Sequence, residues 1–551
     1  MPHDLDPARA AGLERHVRET AEALAPEAVA LACTAPSLPG WDPVYVLVVA
    51  EDVKRGVQRH LSSYGGTKVE HLVVDRRLFE SDVETSALLE VVASRLLLPY
   101  EAFAGEDYLS GWDSLYKRRK VEESLAALAF EHPELSSELL IDPRYFVHDI
   151  VTRQSHLFPH AEKLLEGLDE EGRGIETYEG ALRALARSDV IHMRDGLVAI
   201  DRGFVDTTLQ RSVQVSDQLN RVHMQLQGFL KVGLRGVIDL LRPLLSLSLL
   251  DDALPTALGS SELPNPNRFL HFPTTAGLSP LSESTSIEEL IARMAPRSRG
   301  RAAKLRRYGG ALNEVYLLTY DAGDTTRRAI LKRYPNWVSL KWAPIALWTI
   351  GTQNFAVLGR SRMERECAAT NFLSRSGIPV PRILSTSFGD RLLLREFVEG
   401  KNLAEVVKAV IRRSSTLDVE RGLLNKVGVT VAAVHEGGAT LGDCKPENFI
   451  ATSEGDTVVV DLEQSSRGGN ETWDLAEFLY FSGHYAGPLD PLTRVSDMAR
   501  CFIEGYLDGG GDSRRVAEAA RFKYAKVFAP ITLPQAIHAI ARTCRKKADR
   551  P

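Results

Sequence analysis

Cysteine is scarce in this sequence, with five residues among 551 and no C-x-x-C pair. Zinc sites and disulfide frameworks need cysteines at short, regular spacings, and scattered cysteines are typical of a reducing compartment. We therefore expect neither kind of cross-link. The five positions are Cys33, Cys367, Cys444, Cys501 and Cys544.

Long apolar runs are also missing. The most apolar helical stretch, Val232–Leu250, is interrupted by Arg235, Asp239 and Arg242, which favours an amphipathic core helix over a membrane span. The first residues, MPHDLDPARA, lack the basic and then apolar pattern of a secretory signal. A formal net charge of −6 gives no excess that favours nucleic acid or a membrane as default partner. We expect a soluble, cytoplasmic protein.

Two patterns in the second half suit phosphate binding. The apolar segment Ala329–Arg333 (AILKR) predicts a strand from which Lys332 could reach the α- and β-phosphates of ATP. Met363–Ser374 then predicts a helix carrying Glu366, with Glu364 in reserve, as the acid that pairs with this lysine. A solvated surface lysine or glutamate explains each residue equally well when it is considered alone.

A strand and hinge follow along the chain. Leu392–Gly400 (LLLREFVEG) predicts a strand that enters a hinge, where Glu396 to Val398 could offer backbone groups to adenine. Up to this point the pattern suggests a nucleotide site without deciding it.

The decisive segment is LGDCKPENFI. Asp443 and Asn448 stand five residues apart, which is the spacing of a kinase catalytic loop. Asp443 would orient or deprotonate the acceptor hydroxyl, and Lys445 would contact the transferring phosphate. The buried strand TVVV then ends near Asp461, eighteen residues after Asp443. Asn448 and Asp461 supply the oxygen ligands that Mg²⁺ prefers; a turn with capping Asp and Asn side chains is the simpler alternative.

Asp474, in the segment WDLA, has two interpretations. It could be an ordinary acid at a helix N-terminus, or it could brace the backbone of the catalytic loop, as an aspartate at this place does in kinase-like folds. The sequence leaves both open.

Taken together, residues about 305–485 resemble the atypical, RIO-like kinases, and above all the small archaeal kinase of the KEOPS complex. Lipopolysaccharide-core kinases come next. The matching segments, in family order, are GGALNEVYLL, AILKR, RSGIPVPRIL, REFVEG, GDCKPENF and VVVDLEQ. The resemblance implies a bilobal protein-kinase-like fold that binds Mg-ATP between its lobes, with Gly309 and Gly310 beside the nucleotide.

Three departures from the pattern bear on activity. Leu441 stands where a histidine is usual before Gly442, and Leu462-Glu463 stands where Phe-Gly is usual. Only twelve residues separate Asp461 from Asp474, with no A-P-E motif, so there is little room for a peptide-docking segment.

The front half resembles a nucleotidyltransferase core. Active members hold two metals with a serine turn and three acids on neighbouring strands. Here Thr34 takes the place of the serine, Asp42 and Glu70 lie near the first and third acids, and Val44-Tyr45 fall where the second should be. We expect a degenerate domain used for binding or as a scaffold.

Two further segments predict interaction surfaces. Residues 173–205 combine a helix with two strands meeting at Asp195-Gly196, a hairpin signal, as in a winged helix. Residues 297–307 (RSRGRAAKLRR) carry a dense basic charge that could contact RNA or DNA phosphates; a solvated linker is the alternative. The insertion Trp337–Ile350 is rich in tryptophan and could dock a partner, although core packing explains it as well.

The sequence therefore predicts a multidomain α+β protein. Its expected parts are a nucleotidyltransferase-like α/β domain with a helical extension (1–168), a winged-helix and helical region (169–250), a linker (251–299) and a protein-kinase-like domain (300–540).

Three functions follow from these features. The first is an Mg-ATP-dependent atypical Ser/Thr-type protein kinase. The second is an ATP-hydrolysing or small-molecule kinase serving RNA metabolism. The third is a nucleotide-sensing scaffold without turnover; the intact set of Lys332, Asp443, Asn448 and Asp461 argues against it.

Overall fold

The computed structural model describes residues 7–34, 44–54, 56–154, 165, 173–211, 265–294, 303–309, 313–322, 325–336, 355–412 and 418–548. The predictions for Val232–Leu250, Trp337–Ile350, Asp42, Gly310 and residues 297–302 therefore lie outside the described residues. The chain divides into two compact units: residues 1–133 with 140–270, and residues 134–139 with 271–551. Both mix helices and strands, which confirms the multidomain α+β class.

Unit 1 is built on a mixed five-stranded sheet of order β3-β4-β2-β1-β5. Its central strand β2 (VYVLVVA) is buried at every position, as expected of a β-branched run covered on both faces. The parallel pairing of β2 with β4 joins two valine-rich runs, VYVLVV and VEHLVV. The strands are β1 (Ala28–Thr34), β2 (Val44–Ala50), β3 (Val57–Tyr64), β4 (Thr67–Asp75) and β5 (Tyr100–Ala104).

Helices and one hairpin complete unit 1. The predicted hairpin is confirmed, because β7 and β8 pair antiparallel and both Asp195 and Gly196 have the positive φ that a tight turn of this kind requires. The elements are α1 (Pro7–Leu24), α2 (Arg76–Thr85), α3 (Glu106–Glu131), β6 (Leu140–Ile141), α4 (Arg144–Arg153), α5 (Arg173–Glu176), α6 (Glu179–Arg187), β7 (Ile191–Arg194), β8 (Leu197–Ile200) and α7 (Arg202–Arg211).

Unit 2 begins with a hairpin, a helix and a second five-stranded sheet of order β11-β12-β13-β15-β14. Residues 265–294 were expected to belong to a linker, yet they form a hairpin and a helix whose Leu290 packs into the core under the sheet. The elements are β9 (Leu270–Thr274), β10 (Gly277–Pro280), α8 (Ile287–Met294), β11 (Lys304–Gly309), β12 (Glu314–Ala322), β13 (Thr325–Arg333), α9 (Gly359–Arg375), β14 (Ile383–Ser387) and β15 (Leu392–Glu396).

The rest of unit 2 is mainly helical. Its large apolar core includes Trp473, Phe478 and Phe502. Helices α11 and α13 meet at glycines, since a Cβ added to Gly428 would lie 2.2 Å from the Phe502 carbonyl oxygen. The elements are β16 (Lys401–Asn402), α10 (Leu403–Arg412), α11 (Asp418–Glu436), β17 (Ala439–Thr440), β18 (Phe449–Ala451), β19 (Thr457–Val459), β20 (Ser466–Arg467), α12 (Glu471–Gly483), α13 (Leu492–Asp508), α14 (Ser513–Ala519), α15 (Phe522–Phe528) and α16 (Pro534–Ala548).

A short segment from early in the chain also belongs to unit 2. Residues 134–139 form a 3₁₀ turn whose Glu138 side chain is 1% exposed. This carboxylate pairs with Arg375 at 2.5 Å and with Arg467 at 3.2 Å, so it joins the end of α9 to β20. Among the described residues, no helix combines the length and the apolar character needed to cross a bilayer.

Candidate active site

Lys332 lies at the centre of the described site. The residue sits near the end of β13, a strand flanked by β12 and β15, and its side chain is 2% exposed. Its Nζ lies 2.5 Å from Glu366 Oε2 and 2.7 Å from Asp461 Oδ1. Two acids far apart in the sequence thus converge on one buried ammonium.

Glu366 is held by more than this lysine. The Tyr334 hydroxyl donates to its Oε2 at 2.6 Å, and Arg395 Nη1 lies 3.2 Å from its Oε1. The residue is on α9, the helix predicted from residues 363–374, which the structure extends in both directions. The reserve acid Glu364 pairs with Arg360 at 2.9 Å instead, so the predicted Lys332–Glu366 pair is the one that forms.

Electrostatics keep this cluster charged. Burial lowers the pKa of Lys332, but Asp461 and Glu366 outweigh it and raise that pKa above its ordinary value. Burial also raises the pKa of Asp461, yet Lys332 and Arg395 bring it down to about 2. Asp461 has φ 64°, a left-handed conformation that costs a non-glycine residue about 1–3 kcal/mol and persists only where the surroundings hold it.

The predicted catalytic loop brings three of its polar residues together. Lys445 Nζ lies 2.7 Å from Asp443 Oδ2, and Asn448 Nδ2 donates to the Asp443 carbonyl at 2.8 Å and to Oδ2 at 3.1 Å. The charge of Lys445 also lowers the pKa of Asp461, which links this loop to the Lys332 cluster. Asp443 keeps 18% of its side chain exposed, so a hydroxyl group could approach it.

Side chains of helix α12 hold the backbone of the loop that carries Asp443. Asp474 accepts hydrogen bonds from the Leu441 N–H at 2.7 Å and the Gly442 N–H at 2.8 Å. The bracing interpretation of Asp474 is therefore confirmed. One turn later, Glu477 accepts from the Cys444 N–H at 2.7 Å and from Trp473 Nε1 at 3.0 Å.

A cavity of about 570 Å³ lies beside the hinge strand. It is lined by Glu396 and Val398, the two residues that the sequence predicts near adenine, together with Tyr308 and Ile330. The Glu396 N–H already donates to the Arg382 carbonyl at 2.9 Å, so this particular backbone group is not available to a base. Gly309 ends the exposed edge strand β11 and is not among the residues that line this cavity.

The donor atoms fit a hard cation. Asn448 uses its Nδ2 toward Asp443, so its Oδ1 is the atom that could bind a metal. Within the described residues, Glu366, Asp461 and Glu463 also place carboxylate oxygens within 4.8 Å of one another. Lys332 already supplies positive charge to that group.

Sequence reasoning missed several buried partners of these residues. Glu463 was noticed only as a departure from the usual Phe-Gly, yet its side chain is 5% exposed and contacts Arg362 and Asn313. Burial and Asp461 raise the pKa of Glu463 to about 7. The signal available in the sequence was an acid two residues after Asp461, a predicted metal ligand.

In unit 1, the residues compared with a nucleotidyltransferase site are arranged differently from a metal centre. Glu70 pairs with Arg59 at 2.9 Å and with Arg95 at 3.5 Å, so two guanidinium groups neutralise it. Tyr45 lies opposite Glu70 in the parallel pairing, and Thr34 is buried. Asp42, compared with the first acid, lies outside the described residues, so the degenerate nucleotidyltransferase-like domain stays a prediction.

No family model and no curated protein matches this chain. A solved structure to which the chain is similar is the complex of Rv3197 with erythromycin from Mycobacterium tuberculosis, at 18% identity and a TM-score of 0.23. The similarity covers 41% of this chain and 61% of that one. At that level it bears on neither the fold nor the function.

Proposed function

We propose that unit 2 is an Mg-ATP-dependent phosphotransferase with a bilobal, RIO-like kinase fold. The observation that carries the proposal is the convergence of Glu366 and Asp461 on Lys332, at 2.5 and 2.7 Å. In a phosphotransferase, a buried lysine held by a helix acid contacts the nucleotide phosphates, and an aspartate beside it binds the metal.

The catalytic loop supports the same chemistry. Asp443 would accept the proton of the acceptor hydroxyl as the hydroxyl oxygen bonds to the γ-phosphorus, while the bond from that phosphorus to the β–γ bridging oxygen breaks and ADP leaves. Lys445 would neutralise charge that develops on the transferring phosphoryl group. Asn448 Oδ1 and the Asp461 carboxylate would hold Mg²⁺, which supplies charge neutralisation at the β- and γ-phosphates when bound. Adenine would occupy the cavity that Val398 lines.

A labelling experiment tests this proposal. The unmodified chain with Mg²⁺ and γ-labelled ATP should transfer label or release phosphate, and Asp443→Ala and Asp461→Asn should each lower the rate at least about 100-fold. Glu454→Gln, which changes an exposed acid in a turn of the same unit, is the matched control and should leave the rate unchanged.

No turnover by the unmodified chain would refute an enzymatic role. If Mg-ATP nevertheless raised its melting temperature, the nucleotide-sensing scaffold would be the better description.

The acceptor is the open part of the proposal. Between Asp461 and the start of α12 at Glu471 the only regular element is the two-residue strand β20. So short a connection leaves little surface for docking a peptide, and it favours a small acceptor that enters the cleft over an extended protein segment. Phosphate release or a labelled metabolite, without labelled protein, would identify this second version.

A nucleic-acid contact through residues 297–307 belongs to the same proposal. Within the described part, strand β11 is exposed along its whole length and presents Lys304, Arg306 and Arg307. Charged residues also protect sheet edges from unwanted pairing, which is the simpler explanation. Reversing these three charges should weaken RNA binding and reduce its salt dependence if the contact is real.

A further inference from the structure

Three buried polar side chains meet behind the Lys332 cluster. Arg362 is fully buried, and its Nη1 contacts Asn313 Oδ1 and lies 3.3 Å from Glu463 Oε2. Asn313 Nδ2 donates to the same Glu463 oxygen. Each member therefore contacts both others, and every contact is shielded from water.

The three residues come from three separate parts of the cleft. Asn313 precedes β12 and follows the glycine segment, Arg362 lies in the first turn of α9, and Glu463 stands two residues after Asp461. The triad thus ties together the segment expected beside the phosphates, the helix that carries Glu366 and the segment that carries Asp461.

Neighbouring contacts extend this connection to the lysine itself. Glu463 Oε2 lies 4.0 Å from Lys332 Nζ, and Arg362 Nη2 donates to the Pro335 carbonyl just after β13. Gln464 accepts from the Ala356 N–H at 2.8 Å and donates to its carbonyl at 3.2 Å, which fixes the residue next to Glu463. The left-handed conformation of Asp461 is therefore held by partners on the residues that follow it.

Burying an arginine and a glutamate gains little stability over apolar side chains of the same size. Their value lies in specifying one arrangement, since buried polar groups that contact one another leave few alternative arrangements.

We propose that Glu463 is a positioning residue, which acts through Asn313 and Arg362 to hold the phosphate side of the cleft assembled before nucleotide enters. The proposal rests on the proposed function for its reference to nucleotide. It assigns a purpose to the acid that replaces the usual glycine, which is to hold the segment 461–464 in one conformation.

Amide hydrogen exchange of the full chain without nucleotide tests the assembled arrangement. Glu463→Ala should raise exchange about tenfold or more in three regions at once, namely residues 313–317, the first two turns of α9 and residues 461–465. Glu463→Gln keeps an oxygen that accepts from Asn313 and Arg362, so it should return exchange to within about threefold of the unmodified chain. Glu454→Gln, the same kind of change at an exposed acid of unit 2 outside the triad, should have no effect in those regions.

The nucleotide part is tested by titrating Mg-ATP into the same variants. Glu463→Ala should weaken the affinity about tenfold or more, and Glu463→Gln should restore most of it. A purely structural role would speed exchange throughout unit 2 and would not be rescued by glutamine.

The outcomes separate this inference from the proposed function. Faster exchange confined to residues 461–465, uniform acceleration across unit 2 or no change would each overturn the positioning role. Failure of the unmodified chain to bind Mg-ATP would overturn the proposed function, and the exchange pattern would still decide whether Glu463 holds the three segments together.

Discussion

Replacing Lys332 by methionine removes the buried ammonium while leaving most of the side-chain volume in place. The change therefore tests how much the buried ion pair contributes to the free energy of unfolding of unit 2. Glu366 has a side chain only 1% exposed, so it would keep its charge in a place that water does not reach.

The expected cost follows from the contacts that remain. Breaking a buried ion pair by removing one partner costs about 3–5 kcal/mol. Glu366 would keep the Tyr334 hydroxyl at 2.6 Å and Arg395 at 3.2 Å, which places the expected loss near the low end, about 3 kcal/mol. Losing the contact between Lys332 and Asp461 adds little to this cost, because the Asp461 side chain is 33% exposed and can be hydrated.

A double-mutant cycle with Glu366→Gln isolates the pair. The glutamine variant leaves Lys332 with Asp461 as its closest partner, and we expect a loss at the low end of the same range, about 3 kcal/mol. Lys332→Met combined with Glu366→Gln removes both charges, so its cost should be smaller than the sum by about 2 kcal/mol.

The assay has to report on unit 2 separately from unit 1. Pulsed hydrogen exchange with mass spectrometry at increasing urea does so, because peptides from β13 and β15 follow the unfolding of unit 2 alone. Lys546→Met is the matched control: this lysine is exposed on α16, so the change should stay within about 0.5 kcal/mol. If Lys332→Met were equally mild, or if the single costs simply added, the description of a coupled buried pair would be wrong.

Three other predictions concern unit 2. Gly428→Ala should destabilise unit 2 by about 2–3 kcal/mol in the same urea experiment, because the new Cβ would meet the Phe502 carbonyl. Gly422→Ala, in the same helix, has open space around it and should be neutral or stabilising by up to about 1 kcal/mol. Burial and the nearby Asp443 raise the pKa of Glu477 well above its ordinary 4.5, so the folded chain binds a proton there more tightly than the unfolded chain. The stabilisation that comes from this proton is lost as the pH rises from about 4.5 toward the raised pKa. Glu477→Gln should therefore lose less stability than the unmodified chain between pH 5 and 8, and an equal loss would contradict the assignment. Glu138→Ala leaves two arginines without their shared acid and should cost about 1–3 kcal/mol, seen as faster exchange at the end of α9; an unchanged α9 would show that the contact is unimportant.

Much of the site could be anticipated because it follows local patterns. The spacing of Asp443 and Asn448, the strand ending near Asp461 and the strand carrying Lys332 are all short-range signals, and the structure brings these residues into two adjoining clusters. The apolar runs of β2 and β4 and the turn at Asp195-Gly196 were predictable for the same reason.

The remainder depends on partners that are distant along the chain. Asn313 and Glu463 are 150 residues apart, and no periodicity or turn signal connects them. The stretch before β11 contains many proline, serine and asparagine residues, which hid the hairpin of β9 and β10. Whether the front half binds nucleic acid and which acceptor the cleft takes stay predictions from the sequence.

The position of Glu138 has a consequence for how this chain is made and handled. Residues 134–139 leave the ribosome well before residues 271–551, yet they belong to the same compact unit. During synthesis the segment must wait for its arginine partners, and Arg467 is separated from it by 329 residues. A fragment started at the apparent beginning of the second half would lack a buried acid that joins α9 to β20. A permuted chain, in which residues 134–139 are joined to the end of α16 through a linker, would restore that acid and could be produced without unit 1.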